Sequence, residues 1–454
     1  MTSRWRLLLL GFCLHCGDDG GAAATDTEAE TSDESTSTGE ESTSTGPVEL
    51  CGNGVVDAGE ECDDMNTING DECTAACLTG QALVFVQTHD QGNGTDCAEG
   101  VAVDGEGNVI VAGFVATGNA GENVWLRKYS PAGEEIWTQT QDGPASGDDR
   151  ARAVAANAAG EIAVAGFLTG TGAQGRNIWV RSYDAGGTEL WNEVVDGPSG
   201  GDDQAYGVAA TEDGWVVSGE LLVGMNDTDV WLRRYDAAGA EVWTQTFAGQ
   251  GGGLDSGRGV AVGPSGEIVV TGWESSEKEG RSAWTRKYDA NGGTVWTMRY
   301  NGGSTAGNQG NGVAVGLDGA VVVAGQSRAG SDPTLFWNQG YDAGGNETWV
   351  DFVGELTSQA AVGRGAAAGP DGQFVTVGES TDEGTAASKT RLVRFAADGD
   401  QLYEQGYSGA DPLRPVGMGN AVAIGPDDTI AFAGCGFAIG DDSSGDIFVA
   451  KVQP

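Results

Sequence analysis

From residue 81 onward the chain alternates short apolar runs with polar, glycine-bearing breaks, and the alternation itself repeats. A run of small apolar residues recurs at "GVAV" (Gly100), "AVAA" (Ala153), "GVAA" (Gly207), "GVAV" (Gly259), "GVAV" (Gly312), "GAAA" (Gly365) and "AVAI" (Ala421), at intervals of 52 to 56 residues. Each is followed by a glycine-bearing turn such as "DGEGN", a β-branched run such as "VIVAG", a variable polar loop and a pair of tryptophan-bearing segments. No window shows a helical period, so each unit is predicted as four antiparallel strands. Repeats of about this length are those of propeller blades. The expected fold class is all-β, a seven-bladed β-propeller over residues 81–454.

The tryptophans follow from that architecture. In five units they stand 12 residues apart: Trp125 and Trp137, Trp179 and Trp191, Trp231 and Trp243, Trp284 and Trp296, Trp337 and Trp349. Propeller blades are wedges, so the innermost strands crowd the axis, where Gly, Ala and Val fit, and the splayed outer strands need bulk. Between each pair lies "YDAGG" or a variant, ending on Gly133, Gly187, Gly239, Gly292 or Gly345, where a tight hairpin with positive φ is expected. Arg127, Arg181, Arg233 and Arg286 recur on one side of the third strand and are expected to stack on the aromatic rings and meet acidic turns.

The last unit ends after its third strand, and "FVQTHDQG" (residues 85–92) aligns with "WTQTQDG" (residues 137–143). An N-terminal strand is therefore expected to complete the last blade, with Phe85 in the tryptophan position and His89 on the outer strand, closing the ring and removing its open edges. Cys97 and Cys435 fall in loops of adjacent blades on one face, so a disulfide across the seam is predicted.

Composition narrows the chemistry. The net charge of −44 disfavours nucleic acid and anionic membrane surfaces as partners. Only two histidines occur, and His15 lies in the leader, so a histidine-rich metal site is excluded and a nucleophile would have His89 as its single imidazole base. The 78 glycines imply many tight turns. Residues 1–16 read as an export signal, with Arg4 and Arg6 before the apolar run Leu7 to Leu14. Residues 17–50, rich in Thr, Ser, Gly and acid, read as a disordered linker. Residues 51–80 carry Cys51, Cys62, Cys73 and Cys77 and read as a small module held by two disulfides of open connectivity.

Four resemblances attach to these residues. Cys16, with Cys13 as the second choice, resembles the lipid-attachment cysteine of bacterial lipoproteins, which implies a surface anchor; simple secretion is the alternative. "CGNG", "GEECDD" and "NGDECTAAC" resemble the cysteine-rich repeat of surface proteins from myxobacteria and their relatives. "GDDRARAVAANAAGEIAVAGF" and its sister segments resemble the SBBP-type β-propeller repeat of secreted bacterial proteins, while "YDAGGTELW" is similar to the tryptophan-docking motif of quinoprotein propellers. The seven units and the lack of adjacent cysteines depart from the quinoproteins.

Functional expectations centre on the face opposite the tight turns, whose loops differ from blade to blade. Asp148, Asp149, Asp202, Asp203 and Asp255 recur there and are the candidates for a ligand or cation site, calcium included; aspartates that start turns are the structural alternative. Asp63, Asp64, Asn66, Asn69 and Asp71 are a second candidate calcium cluster. The reading is a monomeric, non-catalytic, surface-displayed or secreted binding protein for an extracellular protein or glycan, with no required cofactor and membrane attachment only through lipid. A carboxylate-dependent hydrolase or lyase, a quinoprotein-like enzyme and a structural envelope scaffold are the alternatives.

Overall fold

The computed structural model describes residues 83–453 except 93, 119–120, 172–174, 250–251, 277–279, 303–306, 329–332, 354–359, 382–387, 408–416 and 438–444. The leader, the linker and the cysteine-rich module lie outside the described residues, and with them Cys13, Cys16, Cys51, Cys62, Cys73, Cys77, Asp63, Asp64, Asn66, Asn69 and Asp71.

Seven four-stranded sheets, every neighbouring pair antiparallel, make up the described residues. In blade 1 the chain runs Cys97–Val103, Val109–Ala116, Glu122–Tyr129 and Glu135–Gln141, each strand paired to the next. Blades 2 to 6 repeat the order. Blade 7 contains Gly417–Ile424, Ile430–Phe437 and Gly445–Val452, and its fourth strand is the N-terminal segment Leu83–His89. Phe85 pairs with Lys451 and His89 with Ile447, so the ring is closed as the sequence predicts. The described residues form a seven-bladed β-propeller.

Small residues on the inner strands answer to close approach: a Cβ on Gly312 would stand 2.7 Å from the backbone of Gly365 in the next blade. Further out, the third-strand tryptophans Trp125, Trp179, Trp231, Trp284 and Trp337 are fully buried, and each blade packs both faces on its neighbours. One such layer joins Ile110, Val124 and Leu126 of blade 1 to Val154, Val164 and Trp179 of blade 2. A tryptophan buried this way removes about 150–250 Å² from water, roughly 4–6 kcal/mol of hydrophobic stabilisation before ordering costs.

The outer tryptophans act differently. Each lies over the turn glycine of the next blade: a Cβ on Gly239 would meet Trp191 at 2.5 Å, and one on Gly187 would meet Trp137 at 3.0 Å. Phe85 does the same at Gly133. These glycines have φ of +84 to +87°, as expected for the hairpins. The indole N–H of Trp137, Trp243 and Trp296 donates to Ala185, Ala290 and Ala343 of the following turn, each at 3.2 Å. The recurring arginines take the anticipated role: Arg127 lies 5.0 Å from the Trp125 ring and 3.4 Å from Glu135, and Arg233 lies 5.1 Å from Trp231 and 3.4 Å from Glu241.

Cys97 and Cys435 form the disulfide, with Cα atoms 4.6 Å apart. Both stand on strands rather than in loops: Cys97 opens the inner strand of blade 1 and Cys435 lies within the second strand of blade 7. His89 stacks on Trp125 at 5.2 Å, and burial together with the nearby Arg127 lowers its pKa.

Candidate functional site: the axial mouth on the loop face

Up-and-down strand order sends the interblade loops and the loops between second and third strands to one face, and the tight turns to the other. Near the loop-face end, every inner strand carries a register shift. Its pairing skips Glu99, Arg152, Tyr206, Arg258, Asn311, Arg364 and Asn420 in blades 1 to 7. Each shift is a β-bulge, a device that re-aims a side chain. The second strand accommodates it with a glycine in every blade; a Cβ on Gly113 would fall 1.9 Å from the Cys97 carbonyl oxygen.

The seven bulge side chains are half-buried, and several of them reach a neighbouring blade. Arg152 donates to both oxygens of Glu99, each at 2.9 Å, and its guanidinium lies 5.5 Å from the Tyr206 ring. Arg258 lies 3.8 Å from the centre of the same ring. Asn311 donates to the Gly363 carbonyl at 2.7 Å, and Asn420 donates to Ala98 at 2.9 Å and to both sulfurs of the cystine. Arg364 pairs with Glu379.

Around this bracelet arginines lie over aromatic rings: Arg150 on Phe114 at 4.0 Å, Arg176 on Phe167 at 4.6 Å and Arg281 on Trp273 at 3.8 Å. Charge is balanced unevenly. Glu99 meets Arg150 and Arg152, and Glu274 meets Arg299. Among the described residues, neither Arg258 nor Arg281 has a carboxylate within ion-pair distance. Arg281 donates to Gln309 at 3.4 Å, and burial plus the positive charge of Arg258 lower its pKa. Glu220, the carboxylate that opposes this shift, is engaged by the Tyr206 hydroxyl at 2.8 Å.

Of the five candidate aspartates, Asp149, Asp203 and Asp255 turn inward onto backbone amides. Asp149 is fully buried and accepts the amides of Gly143 and Thr169, at 2.6 and 2.7 Å. Asp203 does the same with Gly197 and Leu222, and Asp255 with Gly249 and Ser275. Asp96 and Asn308 occupy the equivalent place in blades 1 and 5. In the aspartates one oxygen holds the loop arriving from the preceding blade and the other the end of the second strand, whereas Asn308 holds the arriving loop by donating its amide N–H to the Asn301 carbonyl at 2.8 Å; these groups clamp the loop face from inside. Burial raises the pKa of all four aspartates despite the amide donors, that of Asp255 to about 6. Asp148 and Asp202 remain nearer solvent, the first 3.5 Å from Arg176 and the second accepting the Arg176 amide at 3.0 Å. Among the described residues no three His, Cys, Asp or Glu are grouped to hold a metal ion.

Sequence reasoning passed over the bulge residues. Their signal was present: a large polar residue directly precedes the small-residue run in every repeat, and a glycine recurs inside the second strand, where it marks a bulge or a close backbone approach.

No family model matches the chain, and no curated protein matches it. Solved propellers do. A catalytically inactive virginiamycin B lyase from Staphylococcus aureus with quinupristin aligns at 13% identity over 80% of this chain and 98% of that one, TM-score 0.46. The β-propeller domain of the Trilobed protease from Pyrococcus furiosus aligns at 10% identity over 82% and 96%, TM-score 0.44. A fungal alcohol oxidase in complex with copper aligns at 15% identity over 81% and 76%, TM-score 0.47. At these identities the likeness concerns the fold alone.

Proposed function

We propose that the protein is a non-catalytic binding protein, exported and displayed at the cell surface or secreted, and that it takes a carboxylate-bearing ligand at the axial mouth of the loop face. The observation that carries this reading is the pair Arg258 and Arg281. In a chain of net charge −44 these two guanidiniums lie over the rings of Tyr206 and Trp273, each 3.8 Å from the ring centre, with no carboxylate of the described residues paired to them. A planar donor fork held against an aromatic face is preorganised for a carboxylate. Loops that differ between blades around a rigid ring supply the means of selectivity. The hydrolase alternative has less support, because Asp149 and Asp203 have their oxygens occupied by backbone amides.

The test compares the full chain with the double variant Arg258→Gln/Arg281→Gln, melting each in sodium chloride and in sodium glutarate of equal ionic strength. Glutarate is expected to raise the melting temperature of the parent in a saturable manner and to leave the variant unmoved, since a ligand stabilises only the state that binds it. Without anion the variant should be at least as stable as the parent, because its two uncompensated charges are gone. A variant that responds to glutarate like the parent, or a parent with no saturable response, overturns the reading.

A further inference from the structure

The opposite, tight-turn face holds a different feature, independent of the mouth. In blade 1, Lys128 reaches from the third strand to two acceptors: Asp104 at 2.9 Å, in the turn between the first two strands, and the Ala185 carbonyl at 3.2 Å, in the outer hairpin of blade 2. Lys287 repeats this in blade 4, with Glu267 at 3.3 Å and Ala343 at 3.4 Å. Arg234 in blade 3 meets Asp213 and Ala290, and Arg394 in blade 6 meets Asp371 at 3.1 Å. A cation at this place, buried along its stem, ties each blade to the next.

Blade 5 lacks it. Gly340 occupies the position, paired with Trp349 as Lys128 is paired with Trp137. The turn acid is still there: Asp318 stands before its turn glycine as Asp371 does, and one oxygen accepts the Ala320 amide at 3.0 Å, but no cation of the described residues meets it. Ala397 corresponds to Ala185, two residues before the hairpin glycine, yet neither a cation nor the Trp349 indole donates to it among the described residues. Between them lies a cavity of about 330 Å³ lined by Asp318, Tyr341, Trp349, Phe374 and Ala397. Blade 2 also lacks the cation, having Ser182, but there the turn polar groups Asn157 and Glu161 bond to each other at 2.8 Å.

We propose that this cavity is a binding site for an alkyl ammonium or guanidinium group, which takes the place that the protein's own lysine or arginine fills in blades 1, 3, 4, 6 and 7, in the last through Lys451. The repeat itself specifies the ligand. Asp318 supplies the charge, the Ala397 carbonyl a second acceptor, and Trp349, Tyr341 and Phe374 an aromatic wall suited to a cation and its methylene stem. The acidic surface draws such ligands in. A free amine and a lysine or arginine side chain of another protein present the same chemistry.

Calorimetric titration of the full chain with n-butylammonium chloride, with n-butanol as the neutral control, reads the site directly. The parent should bind butylammonium saturably, and Asp318→Asn, which keeps the volume, should bind it at least about tenfold more weakly, a loss of about 1.4 kcal/mol. Gly340→Lys should abolish binding by filling the site from within; because a Cβ there stands 2.3 Å from the Trp349 indole nitrogen, the Asn variant is the decisive one if the lysine variant fails to fold. A Gly-Gly-Lys-Gly-Gly peptide that binds more tightly than butylammonium identifies a partner's side chain as the source; equal or weaker binding identifies a free amine. Absence of saturable binding by the parent, or equal binding by Asp318→Asn with an unchanged melting temperature, overturns the assignment.

Discussion

Removing the cystine tests how the ring is held at its seam. Cys97 and Cys435 are separated by 338 residues in sequence. Chain entropy assigns about 6 kcal/mol to a closed loop that long, whereas loss of a native disulfide commonly costs about 2–5 kcal/mol. The lower range applies here, because the N-terminal strand still pairs with the last strand of blade 7 and Asn420 keeps its bond to Ala98 at 2.9 Å. With an unfolding entropy of about 2.1 cal/mol/K per residue over roughly 370 residues, that range lowers the melting temperature by about 3–6 °C. Differential scanning calorimetry of the full chain beside Cys97→Ala/Cys435→Ala, both without reductant, measures it. The cysteines of residues 51–80 make reduction of the parent an unequal substitute. If the strand and the cystine hold the same seam, Phe85→Ala added to the double variant should cost more than it does in the parent. A double variant melting within about 1 °C of the parent would refute the inference that the cystine limits opening of the ring.

The docking of outer tryptophans on turn glycines predicts a contrast between two glycines of similar φ. Gly372→Ala, at +83° with nothing within 4 Å, should lose only the left-handed backbone cost of about 1–2 kcal/mol, while Gly239→Ala, at +84° with Trp191 at 2.5 Å, should lose about 1–3 kcal/mol more. Equal shifts in denaturant midpoint would show that the ring contact contributes nothing. Asp255 predicts a pH dependence. Its folded pKa of about 6 exceeds the ordinary value of about 3.9, so between the two the folded chain keeps a proton that the unfolded chain releases. The stability it contributes is fully present below about pH 4 and is lost as the pH rises through about 6. Melting temperatures between about pH 4 and 7 should therefore fall less steeply for Asp255→Asn than for the parent, and parallel curves would contradict the burial argument.

Much of the fold was legible because it is written seven times over. The small-residue runs, the β-branched second strands and the tryptophan pairs each mark a strand by a local property, and their regular spacing identifies the blade. Ring closure was legible too, since Phe85 and His89 align with a strand that the last unit lacks. The site was not. Asp149 and Asp203 look in sequence like the polar residues of a variable loop, yet their side chains turn inward to amides that come from a different strand and a different blade.

Amino-acid order alone determined the all-β class, the blade count, the N-terminal clasp and the pairing of Cys97 with Cys435. Tertiary structure decided which polar groups face water and which satisfy buried amides. It aligned the skipped residues Arg152, Tyr206 and Arg258 around one axis, and it left a glycine beside Asp318 where most other blades present a cation. The division has a physical cause. Strand periodicity and turn chemistry act over a few neighbouring residues, whereas the environment of a side chain at a bulge or an interblade seam is built from residues about one repeat away, and a charge is compensated or left open only when those residues meet.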